Sequence, residues 1–176
     1  EALMRTVIRN AKILVKEPEN YDARAEVMWA GSLSHNGLTG CGTDGGDWAT
    51  HKLEHELGGM FDVAHGAGLA AVWGSWARYV YKANISRWLQ YSANVWNLDI
   101  DYEHPEKTIE EAINLQEQYY VSLGMPIGLK ALGVEEASLT KLALNCSRNK
   151  TRTLTGYKPL AYDDILAIYQ MAYERG

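Results

Sequence analysis

Residues 47–66 read DWATHKLEHELGGMFDVAHG and hold three of the five histidines of this 176-residue chain. His51 and His55 are four residues apart, so on a helix they project from the same face. His65 follows a Gly-Gly pair, which predicts that the helix ends or bends there and that the chain turns back. Because imidazole is the commonest metal ligand near neutral pH, this segment predicts a metal site on which all three histidines could converge.

The rest of the chain predicts an all-α fold. Apolar residues recur at a spacing close to 3.6 along almost the whole sequence, and no strand-length alternation stands out. Helices are expected at 1–16, about 20–36, the segment of His51 and His55, 65–81 with more helix to 96, 108–123, 134–146 and 163–173. Residues 37–46 contain five glycines and predict a loop. The result is a single domain of roughly eight helices.

Polar residues suggest where two of these helices begin. Asp44 or Asp47 is placed to cap the helix that carries the histidine pair. Thr108 followed by Glu111 matches a capping box, which predicts a helix start at that point.

Composition excludes several classes of protein. The net charge of -5 comes with no basic tract, so a nucleic-acid partner is not expected. No apolar run approaches the ~20 residues of a membrane span, and no secretory signal opens the chain. Cys41 and Cys146 lie in unrelated contexts that indicate neither a disulfide framework nor a C-x-x-C metal site, so we expect a cytoplasmic protein. The start at Glu1, inside a helical pattern and without Met, suggests a fragment of a longer protein.

Other interpretations of the histidines are open at this point. The pair in 51–55 could simply form hydrogen bonds inside a helical bundle, and His35 and His104 are more typical of helix ends or loops. Residues 51–55 also fit H-x-x-E-H, the inverted zinc-protease pattern, in which both histidines bind zinc and Glu54 activates a water. That interpretation leaves His65 without a role and lacks a third protein ligand. A helical binding module without activity is a further alternative.

Residues 50–59, THKLEHELGG, and 62–70, DVAHGAGLA, resemble the iron-containing (group III) alcohol dehydrogenases. The butanol dehydrogenase-like branch, which uses NAD(P)H, is the most similar. Residues 18–38 resemble the helix before the glycine loop of that branch, and 156–169 resemble its C-terminal helix. The resemblance therefore covers nearly the whole chain, and it implies the all-helical C-terminal domain of the dehydroquinate synthase-like fold.

The resemblance also implies roles for the three histidines. In this family the metal takes an aspartate and a histidine from one helix and two histidines from a later segment. The later pair correspond to His51 and His65, whereas His55 corresponds to a histidine beside the nicotinamide and is not a ligand. This assignment replaces the first expectation of three histidine ligands. The D-x-x-x-H pair and the glycine-rich nucleotide-binding turn are absent, so residues 1–176 resemble most of the C-terminal domain of a two-domain enzyme, beginning after its first metal-binding helix.

The activity implied is hydride transfer between NAD(P)(H) and an alcohol or aldehyde such as butanol or butanal. The expected metal is Fe²⁺, with Zn²⁺ or another divalent ion as alternatives, acting as a Lewis acid on the substrate oxygen. His55 is the expected catalytic residue, contacting the cofactor and relaying a proton. The intact enzyme is expected to be a homodimer with a nucleotide-binding domain and with no membrane contact.

Overall fold

Eight α-helices form the structure of residues 1–43 and 45–175, which a computed structural model of the chain describes. They are α1 Ala2–Lys16, α2 Tyr21–His35, α3 Ala49–Phe61, α4 His65–Val80, α5 Ile85–Trp96, α6 Pro105–Ser122, α7 Leu139–Cys146 and α8 Tyr162–Glu174. In that part of the chain, β pairing is limited to one isolated bridge between Leu154 and Leu160. The all-α prediction is confirmed. None of the helices in this part of the chain is both long and apolar enough to cross a bilayer.

The centre of the molecule is α4, which packs against α3, α6 and α8. Leu53 and Leu57 of α3 are completely buried against this core, and so are Ile109 and Ile113 of α6. Burying a side chain of this size contributes about 1.5–3 kcal/mol, so these residues hold α3 firmly on the core. The hydroxyl of buried Tyr169 donates to the Leu53 carbonyl at 2.7 Å and adds a link from α8. The apolar face of α3 thus fixes the orientation of its histidine face.

The predicted helix break at Gly58 and Gly59 is wrong. Both glycines lie inside α3, which continues to Phe61 and ends where Asp62 adopts the left-handed conformation with φ 52°. Gly58 is needed for space instead, since a Cβ there would lie 3.3 Å from the Glu54 carboxylate. The reversal into α4 therefore falls in residues 62–64, immediately before His65.

The two predicted helix starts differ from those in the structure. The predicted cap at Asp47 is wrong, because the N-cap of α3 is Trp48, without a side-chain capping bond; Asp47 lies one residue earlier and accepts the N–H of Ala49 at 2.7 Å, and Asp44 lies outside the described residues. The predicted start at Thr108 is wrong, because α6 begins three residues earlier with Pro105, whose fixed φ suits the first turn of a helix. The Thr108 hydroxyl accepts the N–H of Asp101 at 3.0 Å instead.

Candidate metal centre and active site

Three histidines meet where the short turn at 62–64 joins α3 to α4. His51 and His55 lie one helical turn apart on α3, and His65 is the first residue of α4. The ring centroids are 5.3 Å apart for His51 and His65, 5.8 Å for His55 and His65, and 6.5 Å for His51 and His55. The structure therefore brings together the three histidines that the sequence singled out.

His51 has the properties of a neutral imidazole with a free lone pair. Burial lowers its pKa, and the neighbouring rings of His65 and His55 lower it further. Its Nδ1 is buried and has no hydrogen-bond partner among the described residues. The Trp48 ring packs edge-on against it, with the two centroids 4.8 Å apart. An uncharged imidazole fixed in place, with a nitrogen that protein groups do not satisfy, fits the requirements of a metal ligand.

Glu54 is the buried acid of the site, with only 2% of its side chain exposed. Its Oε2 is hydrogen-bonded to Nδ1 of His65, the half-exposed first residue of α4. The sequence suggested a role for Glu54 only within the protease pattern, where it would activate a water. A carboxylate enclosed in the protein and already paired with His65 is poorly placed to activate a water, so the geometry argues against the protease interpretation.

Two groups of side chains at this junction are candidates for holding a metal ion. The ligand atoms of Glu54, His55 and His65 all lie within 4.8 Å of one another. Among the ring centroids, His51 and His65 form the closest pair. Within the first group, the Glu54 carboxylate is buried and already bonded to His65, and His55 is exposed.

The two remaining histidines lie outside this group, as predicted. His104 directly precedes α6, with its Nδ1 3.4 Å from Asp101, and His35 is the exposed last residue of α2. His35 also lowers the pKa of His51, but by less than burial and the rings of His65 and His55 do. This proximity could not be predicted from the sequence, because the glycine-rich loop at 37–46 separates the two residues.

The cysteines take no part in the site. Cys41 is exposed, Cys146 is buried, and both are free thiols, which agrees with the absence of a predicted disulfide framework. Burial raises the pKa of Cys146 to about 11. The thiolate is the reactive form, so this residue is chemically inert at neutral pH.

Residues 1–173 match the family profile described as the C-terminal part of the Fe-containing alcohol dehydrogenases. The chain belongs to the iron-containing alcohol dehydrogenase family. The match extends from α1 into α8, so it includes all three histidines and the helices that carry them.

Individual members of the iron-containing alcohol dehydrogenases agree with this assignment. NADH-dependent butanol dehydrogenase A of Clostridium acetobutylicum is 35% identical over 174 residues, which are 98% of this chain and 44% of that protein. The NADPH-dependent aldehyde reductase YqhD of Escherichia coli is 33% identical, again over 98% of this chain and 44% of that protein. The crystal structure of NADH-dependent butanol dehydrogenase A from Thermotoga maritima superposes with a TM-score of 0.91, at 28% identity, over 98% of this chain and 44% of that chain.

The comparisons confirm the fold and family inferred from residues 50–70. The chain spans less than half the length of these relatives, and its residues 1–173 match a profile that is described as C-terminal. The roles of individual histidines and the identity of the ion belong to the proposal that follows.

Proposed function

We propose that this chain is the metal-binding helical domain of an enzyme that transfers hydride between NAD(P)(H) and an alcohol or aldehyde such as butanol or butanal. The observation that carries the proposal is the meeting of His51, His55 and His65 at the junction of α3 and α4. This junction lies within a chain that matches a butanol dehydrogenase and an aldehyde reductase over 98% of the chain's own length. The junction is thus the candidate for the catalytic centre.

Under this proposal His51 and His65 hold the ion. Two imidazoles suit Fe²⁺ and Zn²⁺ alike, and we propose Fe²⁺ on the basis of the family. A divalent ion bound there would supply a Lewis acid for the oxygen of the alcohol or aldehyde. The burial of His51 and its contact with Trp48 keep its ring neutral and fixed, so that ligand geometry persists between turnovers.

His55 is the proposed proton relay and the proposed contact to the nicotinamide. Its ring is exposed and lies 5.8 Å from that of His65. In alcohol oxidation, the hydride leaves the carbinol carbon for the nicotinamide ring and the hydroxyl proton is released. An exposed imidazole beside the substrate oxygen can accept that proton and pass it to water, or return it when an aldehyde is reduced.

The proposed enzyme also needs a surface that holds the dinucleotide. The chain spans 44% of the relatives that are named as NADH- or NADPH-dependent, so we propose an additional α/β nucleotide-binding domain and a further metal-binding helix that completes the metal ligands. The exposed apolar side chains of α2, Met28 at 74% and Trp29 at 64%, favour contact with further protein surface. Assembly as a homodimer stays a prediction.

The test uses the two-domain protein, meaning this chain joined to the further metal-binding helix and to the nucleotide-binding domain. We expect it to oxidise NADH or NADPH when butanal is added, to lose this activity when a chelator removes the metal, and to regain it with Fe²⁺. The His51→Ala variant, treated in the same way, should not regain activity. Turnover that survives complete metal removal would contradict the proposal, and cleavage of peptides without aldehyde reduction would favour the protease alternative.

A further inference from the structure

We propose that Glu54 is a positioning residue for the metal site: it holds the proton of His65 on Nδ1 and thereby presents Nε2 to the ion. This inference rests on the proposed function for the identity of the site, and it gives Glu54 a role different from the water activation that the protease pattern suggested. The observation behind it is the hydrogen bond between Glu54 Oε2 and His65 Nδ1, which joins α3 to the first residue of α4.

The protein is shaped around the buried carboxylate. A Cβ at Gly68 would lie 2.7 Å from Glu54 Cγ and 3.0 Å from Oε1, closer than packed atoms tolerate. A Cβ at Gly58 would lie 3.3 Å from the same oxygen. Glycine at these two positions, one on each helix, leaves a cradle that only the Glu54 side chain fills. Such a tight enclosure indicates that the position of this carboxylate is specific.

The chemistry of the pair explains why position matters. An enclosed carboxylate is costly unless a donor satisfies it, and His65 supplies an N–H donor. A neutral imidazole carries one proton, so a proton held on Nδ1 leaves the Nε2 lone pair for the ion. Carboxylates that accept from a metal-bound histidine fix its tautomer and orientation and increase its basicity as a ligand. Glu54 therefore acts on the metal through His65 and not as a ligand itself.

The first measurement is the tautomer of His65 in the metal-free 176-residue chain. A long-range ¹H–¹⁵N correlation at a pH where histidines are neutral reports which ring nitrogen carries the proton. We expect Nδ1–H for His65 in the wild-type chain. In Glu54→Gln, whose amide can accept from one ring nitrogen or donate to it, that preference should be lost. A wild-type His65 with its proton on Nε2 would overturn the inference.

The second measurement is Zn²⁺ affinity, determined by competition with a chromophoric chelator. Glu54→Gln should bind Zn²⁺ about 10–100-fold more weakly than wild type, the usual effect of removing a partner of a ligand. Gly68→Ala, which keeps the charge but displaces the carboxylate from its cradle, should also weaken binding. Glu56→Gln, a carboxylate two residues along the same helix, is the matched control and should bind like wild type. Circular dichroism verifies that each variant is folded.

The outcomes separate this inference from the proposed function. Unchanged Zn²⁺ affinity in both Glu54→Gln and Gly68→Ala would overturn it. If the Nδ1–H signal of His65 disappears when Zn²⁺ binds, Glu54 has left His65 to become a ligand, which also overturns it. If the tautomer and affinity results hold but the two-domain protein reduces no aldehyde, the dehydrogenase proposal fails while the role of Glu54 stands.

Discussion

At the scale of single residues, the three histidines of the site differ in their contacts. His51 is half-buried and its Nδ1 has no partner among the described residues, His65 is half-exposed but bonded to a buried carboxylate, and His55 is exposed. A ligand benefits from being fixed, while a proton relay must reach both substrate and water. The residue environments therefore support the division of roles that the family resemblance implied.

The proposed role of His55 predicts a specific kinetic phenotype. In the two-domain protein, His55→Ala should keep its metal but reduce kcat by about 10²–10⁴-fold, the usual effect of removing a general acid–base group. Metal analysis and steady-state NAD(P)H oxidation with butanal provide the two readouts. His104→Ala, an exposed histidine at the start of α6, is the control and should resemble wild type. A His55→Ala enzyme with wild-type kcat would exclude the relay.

At the scale of helices, two glycines in helix interiors differ in the space around them. Gly59 of α3 has no neighbouring atom within 4 Å of an added Cβ. Gly74 of α4 lies against Glu117, where a Cβ would overlap the carboxylate and lie 2.7 Å from its Cδ. That carboxylate is buried and paired with Arg78 at 2.9 Å, and it also bonds to Arg175, so it links α4, α6 and the end of α8.

This difference predicts opposite effects of the same substitution. Gly59→Ala should raise the free energy of unfolding by up to about 1 kcal/mol, because alanine favours a helix and the site has space. Gly74→Ala should lower it by about 1–3 kcal/mol, because the new methyl group displaces the Glu117 carboxylate from its arginines. Urea unfolding of the 176-residue chain measures both values. Equal effects at the two positions would contradict the packing described for α4 and α6.

The sequence predicted helices better than it predicted their ends. Periodicity depends on which face is buried, and α8, expected at 163–173, spans Tyr162–Glu174. Turn and capping residues predicted helix ends wrongly where contacts between distant residues determine the structure. Gly58 makes room for Glu54 within α3, and the Thr108 hydroxyl bonds to the Asp101 backbone and does not begin α6. The three histidines could be found from their spacing, but the buried Glu54 contact required the packing of α3 on α4.

At the scale of the whole molecule, the helical domain presents an open site. At the junction of α3 and α4, the ring of His55 is exposed and the ring of His65 is half-exposed. The resemblance assigns two further metal ligands to a helix that this sequence does not contain. A nicotinamide would also need binding groups beyond those at the junction of α3 and α4. Both considerations point to a site that is completed by additional protein.

The 176-residue chain alone should therefore bind metal weakly and lack activity. Dialysis after loading with Fe²⁺ should leave far less than one ion per chain, since two imidazoles form an incomplete coordination sphere. NADH and NADPH should not be oxidised above background in the presence of butanal. Metal analysis and absorbance of the reduced cofactor test this. One tightly held iron per chain, or measurable turnover, would show that the helical domain is self-sufficient.

The assignment of His51 and His65 as metal ligands is tested most directly by the iron content of three variants of the two-domain protein, measured side by side after dialysis. We expect His51→Ala and His65→Ala to lose the metal, because each removes one of its ligands, and His55→Ala to retain about as much as wild type. This result would place the ion between the two helices, at the pair of rings that lie 5.3 Å apart. An empty site in His55→Ala together with a full site in His65→Ala would place the ion on His51 and His55 of α3 and contradict the assignment of His65 as a ligand.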